Sequence, residues 1–482
     1  MTIIRVSNAK GSYPPWEEYQ TLCRDFWDLK IRSEILERLK GRHIIDLSSG
    51  FNLYHPPSML LKQLQRDAIN PLFYFPYESP GGQPFVVRAI SAYECLRADN
   101  ISIKPENVVL TAGTTWAFDC IAQLISIKYP DSCAIIPVPN YSGFGLSMLR
   151  FGIKVIDVGS SKGPKEPPSI SEVEKAVDKN TKLIYLCLIN NPTGVLITYD
   201  DLKEYILLAK KHEIYLVIDE TASSLHNNHT VIPCIWKIAY ELNATENIIA
   251  ISGLSKDRSN PGHRIGWIIS GKDKVDEVVK MNLETYAVPA SLFSGLIIKD
   301  LLFRLFDDNK SNQCDIYNKF VSIMLGQLGP SWPSGSIIEK EFHEYLIRGV
   351  EEFLEPFKNF DILQSEFNEF QNWQSKFIEH VTENFSILKL ILDSEIEEHS
   401  KMDAGYNIFI KLKLPHGINQ QDFALTAFRT LGIEVLPGPI FGLLPCDWQE
   451  SLGMWIRITL SHPHDIFREG LLRFKTLVHR YQ

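Results

Sequence analysis

From about residue 83 to residue 285 the chain alternates short apolar strands with helix-like segments, and few architectures accept that order. A helix near 83–97 precedes the strand Asn107-Val-Val-Leu110, and a second helix opens at Gly113. Further strands are expected at Ala134–Pro137, Lys154–Val158, Leu183–Leu188, Ile214–Ile218, Ile248–Ser252 and Ile265–Ile269, with helices between most of them. Runs such as Ile214-Tyr-Leu-Val-Ile218 are apolar at nearly every position, so both faces must be covered. The pattern predicts an α/β fold with a mainly parallel sheet. In such sheets ligands sit beyond the carboxyl ends of the strands, so the loops there are where chemistry is sought.

With 482 residues, 45% hydrophobic and 22% charged, the chain is long enough for two domains around a cleft. Residues 15–41 carry Trp16, Tyr19, Leu22, Phe26 and Leu29 at helical spacing, and Gly41 supplies a stop. Beyond 300 a helical, charge-mixed region runs to about 400, and the end of the chain is α+β, with strands at Tyr406–Leu412, Ile433–Leu436 and Met454–Leu460. A net charge of -9 argues against nucleic-acid binding, since no basic excess exists to release counterions. The eight cysteines lack CxxC spacing and suit a reducing compartment. The first residues hold no apolar signal core and no run approaches a membrane span, so a cytoplasmic protein is expected.

Five strand-end motifs carry candidate chemistry. In Gly253-Leu-Ser-Lys-Asp-Arg-Ser-Asn-Pro-Gly-His-Arg264, Ser255 and Lys256 follow a strand, and Arg264 lies eight residues after the lysine. A desolvated lysine beside a fixed cation is a nucleophilic amine, and the arginine fork clamps phosphate oxygens, as a pyridoxal 5'-phosphate site requires. Two solvated cations on a surface loop are the alternative. Asp219 ends an apolar strand, where a carboxylate needs a cation such as a pyridinium nitrogen, or else caps a helix. Asn190-Asn-Pro-Thr-Gly194 offers the Asn191 amide to a ring oxygen, or is a plain Asn-Pro turn. Gly113, Thr114 and Thr115 at a helix start form a phosphate seat or a simple cap. Tyr141 after Pro137-Val-Pro-Asn stacks on a flat ring or merely packs. Near the end, Arg457 inside Trp455-Ile-Arg-Ile-Thr459 binds a substrate carboxylate or a structural partner.

The order and spacing of these motifs resemble the fold-type I enzymes of the class I/II aminotransferase family over roughly residues 45–300 and 405–475. Capreomycidine synthase and ACC synthase are among the similar relatives. The resemblance implies a large domain with a mainly parallel seven-stranded sheet flanked by helices, plus a smaller α+β domain. The corresponding divisions are an N-terminal segment (1–70), a large cofactor domain (71–300), a linker helix with a helical insertion (301–400) and a small C-terminal domain (401–482). It implies pyridoxal phosphate as cofactor, with no metal, held by a Schiff base on Lys256. Asn191 and Asp219 contact the ring, Tyr141 stacks on it, and Arg264 meets the phosphate. Arg457 takes the substrate carboxylate. Tyr77 reaches a phosphate across a homodimer interface, with Ser291 as a second interface contact. Ser49-Gly-Phe-Asn-Leu-Tyr-His55 matches the segment that closes over substrate, making Asn52, Tyr54 and His55 selectivity residues.

Three departures stand out. Ala222 occupies the position usually held by a tyrosine that hydrogen-bonds the ring oxygen, Gly253 replaces a common serine, and the span from Arg264 to Arg457 is long. The expected activity is Cα-proton removal from a free L-α-amino acid by Lys256, after an external aldimine forms. It is followed by side-chain elimination, replacement or cyclisation to a non-proteinogenic, arginine-like product. Plain transamination to a 2-oxo acid is the alternative. A cofactor-binding transcription regulator would need a DNA-binding module, and only about 45 residues precede the match.

Overall fold

The computed structural model describes residues 2–7, 13–73, 77–226, 230–325 and 340–482, without the side chains of 340–346. The chain forms two compact units. One comprises Met1–Tyr54, Ile121–Pro233 and Phe377–Gln482, and the other His55–Cys120 and Cys234–Lys376.

In the first unit five strands lie in the order Ile3–Ser7, Lys154–Gly159, Cys133–Val138, Thr181–Cys187 and Tyr215–Asp219. The last four run parallel, and Cys133–Val138 is buried at every residue, which explains its unbroken apolar composition. Between two of these strands lies the helix Tyr199–Lys211. Thr198 caps its start by accepting the Asp201 N–H, Asp200 and Asp201 occupy its first turn, and Lys210 and Lys211 its last. Ile3–Ser7 pairs antiparallel at the sheet edge. A second sheet, of four strands, is built from Ile396–His399, Asn407–Leu412, Trp455–Thr459 and Leu436–Pro437. The closing helix His464–Tyr481 buries Phe467, Leu471, Phe474 and Val478, an i, i+4, i+7 stripe.

The second unit holds three antiparallel strands, Ile248–Gly253, Ile265–Ile269 and Val108–Ala112. Around them stand Ser58–Asp67, Pro84–Arg97, Lys272–Thr285 and the helical region expected beyond 300. Within that region Ser294–Asp308 is buried from Ser294 through Phe306, and Phe303, Phe306, Phe367 and Phe370 form an aromatic core.

Two expectations change. Five strands here and three there exceed the expected seven by one, and Ile3–Ser7 is the addition. Its burial alternates between intermediate and exposed, so no buried stripe announced it. The helical spacing over 15–41 is broken into Pro14–Phe26 and Leu29–Leu39. Asp28 causes the break, because its carboxylate accepts the N–H groups of Lys30 and Ile31 (2.8 and 3.0 Å) and caps a new helix. Leu29 therefore faces solvent rather than continuing the apolar stripe. Among the described residues no helix is long and apolar enough to cross a membrane.

Candidate active site

In the first unit the parallel register Cys187↔Asp219 brings the ends of neighbouring strands to one edge. Asp219 is fixed there by three donors: the Thr221 N–H (2.9 Å), the Thr221 hydroxyl, and the Tyr185 hydroxyl at 3.0 Å. Tyr185 is buried and stacks on Phe144 (4.0 Å, 7° between planes), and burial plus the Asp219 charge pushes its phenol up. Thr221, Ala222 and the residues after them form a turn, so the helix-cap alternative for Asp219 is not met. Ala222 contributes only a methyl group, and Tyr185 is already engaged with Asp219 and Cys187.

Two asparagines divide the labour after the strand Thr181–Cys187. Asn190 builds the turn, accepting from Thr193 N–H (3.2 Å) and hydroxyl (2.7 Å) and donating to Pro139 O (3.0 Å). Gly194 closes it at φ +70°, where a Cβ would sit 2.7 Å from Asn407 O. Asn191 is thereby released to accept from Arg457 Nη1 at 2.9 Å, leaving its Nδ2 as a donor. Asn140 holds the Tyr141 N–H at 2.8 Å, and the Tyr141 ring folds over Gly143, where a Cβ would collide with it.

Arg457 is 3% exposed, yet no carboxylate lies within 4.0 Å of it among the described residues. Its partners are the Asn191 and Ser48 oxygens, its face lies 5.3 Å over the Phe441 ring, and its Nε has no partner. Burial lowers its pKa, opposed by Asp46 and by the phenols of Tyr406, Tyr19 and Tyr141. Among the described residues Arg457 thus has no salt-bridge partner, and a buried cation without an adjacent carboxylate can accept an anionic ligand.

The segment after Ser48 is tied to the strand carrying Arg457. Thr459 donates to Ser49 O (2.8 Å), and Ser461 accepts the Leu53 N–H (2.9 Å). Asn52 is buried and spends its Oδ1 on the Tyr54 N–H, while the Tyr54 ring meets Phe377 and His380 at 5.3 and 5.2 Å. Two neighbours of Arg457 went unread in the sequence. Tyr19 belongs to the apolar stripe of the first helix and so reads as core; its phenol is pushed up chiefly by burial, with Tyr141 and Arg457 among its electrostatic neighbours. Asp46 accepts the Ser48 N–H (2.9 Å), and burial together with Glu434 raises its pKa to about 7.

In the second unit Lys256 lies half-buried in the turn after Ile248–Gly253, closed by Arg258 N–H to Leu254 O (3.2 Å), with Ser255 buried beside it. Gly253 has a steric reason. A Cβ there would lie 2.5 Å from Ile265 O, so the strand crossing leaves no space for serine. At Gly266 a Cβ would meet the Gly113 carbonyl carbon at 2.7 Å. These glycines let three backbone segments approach closely. Gly113, at φ +78°, leaves room for the Arg264 guanidinium, whose Nη2 would be 2.6 Å from a Cβ. Among the described residues Arg264 donates to carbonyls, Pro261 O (3.2 Å) and Ala112 O (3.4 Å), and no carboxylate lies within 4.0 Å of it. The cation thus lies beside Thr114, first residue of the helix Thr114–Lys128, followed by exposed Thr115. An arginine without a counter-ion at a helix N-terminus suits a phosphate.

Tyr77 is 91% exposed, its ring 5.8 Å from that of Tyr286. Ser291 is buried, its N–H on Glu78 Oε1 at 2.6 Å. His55 is exposed, and its carbonyl accepts the Trp373 indole at 2.8 Å. A further buried set, Asp257, Arg258, Asp300 and Arg304, has no local sequence signature because its members lie up to 47 residues apart.

Residues 42–298 match the family model described as aminotransferase class I and II. The aspartate aminotransferase of Streptomyces avermitilis is 25% identical over 248 residues, 51% of this chain and 59% of the relative. The 1-aminocyclopropane-1-carboxylate synthase 4 of Solanum lycopersicum is 28% identical over 204 residues, 40% of this chain and 42% of that protein. These matches span only about half the length of the curated relatives. Among solved structures, an aromatic aminotransferase from Pyrococcus horikoshii superposes with a TM-score of 0.66 at 16% identity, covering 92% of this chain and 99% of its own. A Thermus thermophilus aspartate aminotransferase mutant gives 0.67 at 17% identity, covering 93% and 96%. These two likenesses concern the fold.

Proposed function

The chain belongs to the class I and II aminotransferase family, and from that premise we propose that it is a pyridoxal-phosphate-dependent enzyme acting on a free L-α-amino acid. The observation that carries the substrate class is Arg457, a buried guanidinium with neutral partners and an unpaired N–H. An α-carboxylate supplies the missing anion bidentately.

Each unit, taken by itself, carries donors of the kind this cofactor needs. Arg264, Gly113, Thr114, Thr115 and Ser255 would hold the phosphate. Asp219 would keep the ring nitrogen protonated, its orientation fixed by Thr221 and Tyr185. The Asn191 Nδ2 would donate to the ring oxygen, and Tyr141 would cover the ring face. When bound, the cofactor supplies an electron sink for the α-carbon of the amino acid. Lys256 would hold it through Nζ, and the same amine would take the Cα proton. Asn52, Tyr54 and His55 would select the substrate side chain.

The step after proton removal distinguishes two readings. We favour side-chain elimination, replacement or cyclisation, giving a non-proteinogenic and arginine-like amino acid. Ala222 supports it, since no phenol steadies the ring oxygen there, and so does the resemblance to an aminocyclopropane-carboxylate synthase. Plain transamination is the second reading, favoured by the names of most relatives. A homodimer completed by Tyr77 and Ser291, a cytoplasmic location, and the division at residues 70, 300 and 400 belong to the same proposal. The test incubates cofactor-loaded protein with an amino-acid panel, with and without a 2-oxo acid, followed by mass spectrometry. Oxo-acid-independent release of ammonia, water or a ring supports elimination or cyclisation. Many turnovers of stoichiometric amino transfer overturn it.

A further inference from the structure

Directly after Lys256 the chain places two charged residues, Asp257 and Arg258, that are both fully buried. Arg258 Nε bonds Asp300 Oδ1, and Arg304 Nε bonds the other oxygen of Asp300 at 2.8 Å. Arg304 Nη2 lies 3.1 Å from Asp257, and Arg258 Nη1 donates to Asp257 O at 2.9 Å. Two cations and two anions balance, which is what allows the set to be dry. On its other side the Arg258 guanidinium lies 4.8 Å over Phe370 and 5.8 Å over Trp373. Lys299, beside Asp300, pairs with Glu366 at 2.7 Å, so the helices Ser294–Asp308 and Phe360–Leu392, which supply these partners of Arg258, are also tied to each other.

We propose that Asp257, Arg258, Asp300 and Arg304 are positioning residues that mount Lys256 on the helix Ser294–Asp308. The helical region beyond 294 is then part of the reaction apparatus. This rests on the role given to Lys256 above. Buried ion pairs are rarely more stabilising than apolar packing of the same volume, so stability alone does not account for four charges at this place. Direction does. Arg258 reaches Asp300 through Nε while its Nη1 turns back to Asp257 O, two contacts that set the plane of its guanidinium, and the Arg258 N–H closes the Leu254–Arg258 turn around Lys256. The turn is held at its C-terminal end by Asp300 and Arg304 of one helix and by aromatic rings of another.

The test compares full-length wild type with Asp300→Asn, the charge-balanced Asp300→Asn/Arg304→Gln, and the milder Phe370→Leu. In cofactor-free protein the Lys256 amine is labelled with acetic anhydride across pH and followed by mass spectrometry. In loaded protein the pH midpoint of the visible band is read. The mount predicts labelling of Lys256 about fivefold faster in the two Asp300 variants and about twofold in Phe370→Leu. It also predicts midpoints displaced from wild type in the charge-balanced variant, where net charge is unchanged. If the Asp300 variants do not fold, Phe370→Leu decides. Folded variants with wild-type labelling and midpoints, whatever their melting temperature, overturn the proposal. A wild type that takes no cofactor overturns the functional reading instead, and the labelling still decides the mount.

Discussion

Arg457 and Arg258 are both buried arginines, and the protein treats them in opposite ways. Arg258 meets a carboxylate within a balanced set of neighbours, whereas Arg457 meets two neutral oxygens and, among the described residues, no carboxylate within 4.0 Å; each also keeps one nitrogen unpaired. A cation that is neutralised internally specifies structure. One that is buried without an adjacent carboxylate is open to a ligand, so the two arginines differ in whether their charge is answered from within the fold.

The comparison breaks most easily at Asp300. Asp300→Asn leaves Arg258 and Arg304 with one carboxylate between them and is expected to cost about 3–5 kcal/mol in denaturant unfolding. Arg457→Met, by contrast, removes a desolvated charge that no carboxylate contacts directly, Asp46 acting on it only at longer range. Its unfolding free energy should change by less than about 1 kcal/mol, or rise. Equal losses in the two variants would erase the distinction.

Asp46 sharpens it through pH. Its pKa is raised to about 7 by burial and Glu434, so the unfolded chain loses this proton first. The stability contribution is complete at pH values below the unfolded carboxylate range and is lost as pH rises through 7. Asp46→Asn should therefore gain about 1–3 kcal/mol over wild type at pH 8, and no gain should remain near pH 4. A pH-independent difference would refute the assignment. The smallest effect belongs to the helix break: Asp28→Ala should cost about 1 kcal/mol by loss of the cap.

Much of this was legible in the sequence wherever local pattern and chemistry coincide. Unbroken apolar runs marked the parallel strands, and Lys256, Asp219, Asn191 and Arg457 fell at or in strands where chemistry demands a partner. What escaped is non-local or ambiguous. Tyr19 shares its spacing with core residues, and Asp300 stands 42 residues from Arg258 with nothing nearby to link them. Gly253 read only as the replacement of a common serine, although Ile265 O excludes any side chain there. Ile3–Ser7 lacks a buried face to reveal a strand. Asp28 shows how one polar side chain in a helical stripe redirects the backbone when its carboxylate competes for N–H groups.

The central claim is that Arg457 seats the carboxylate of an amino acid. Titrating cofactor-loaded wild type and Arg457→Met with an L-α-amino acid and with its α-carboxamide, following the visible spectrum, tests it directly. The account predicts that wild type prefers the acid by about 30-fold or more, and that the variant loses this preference while still binding the amide. Equal preference for the acid in both proteins would contradict it.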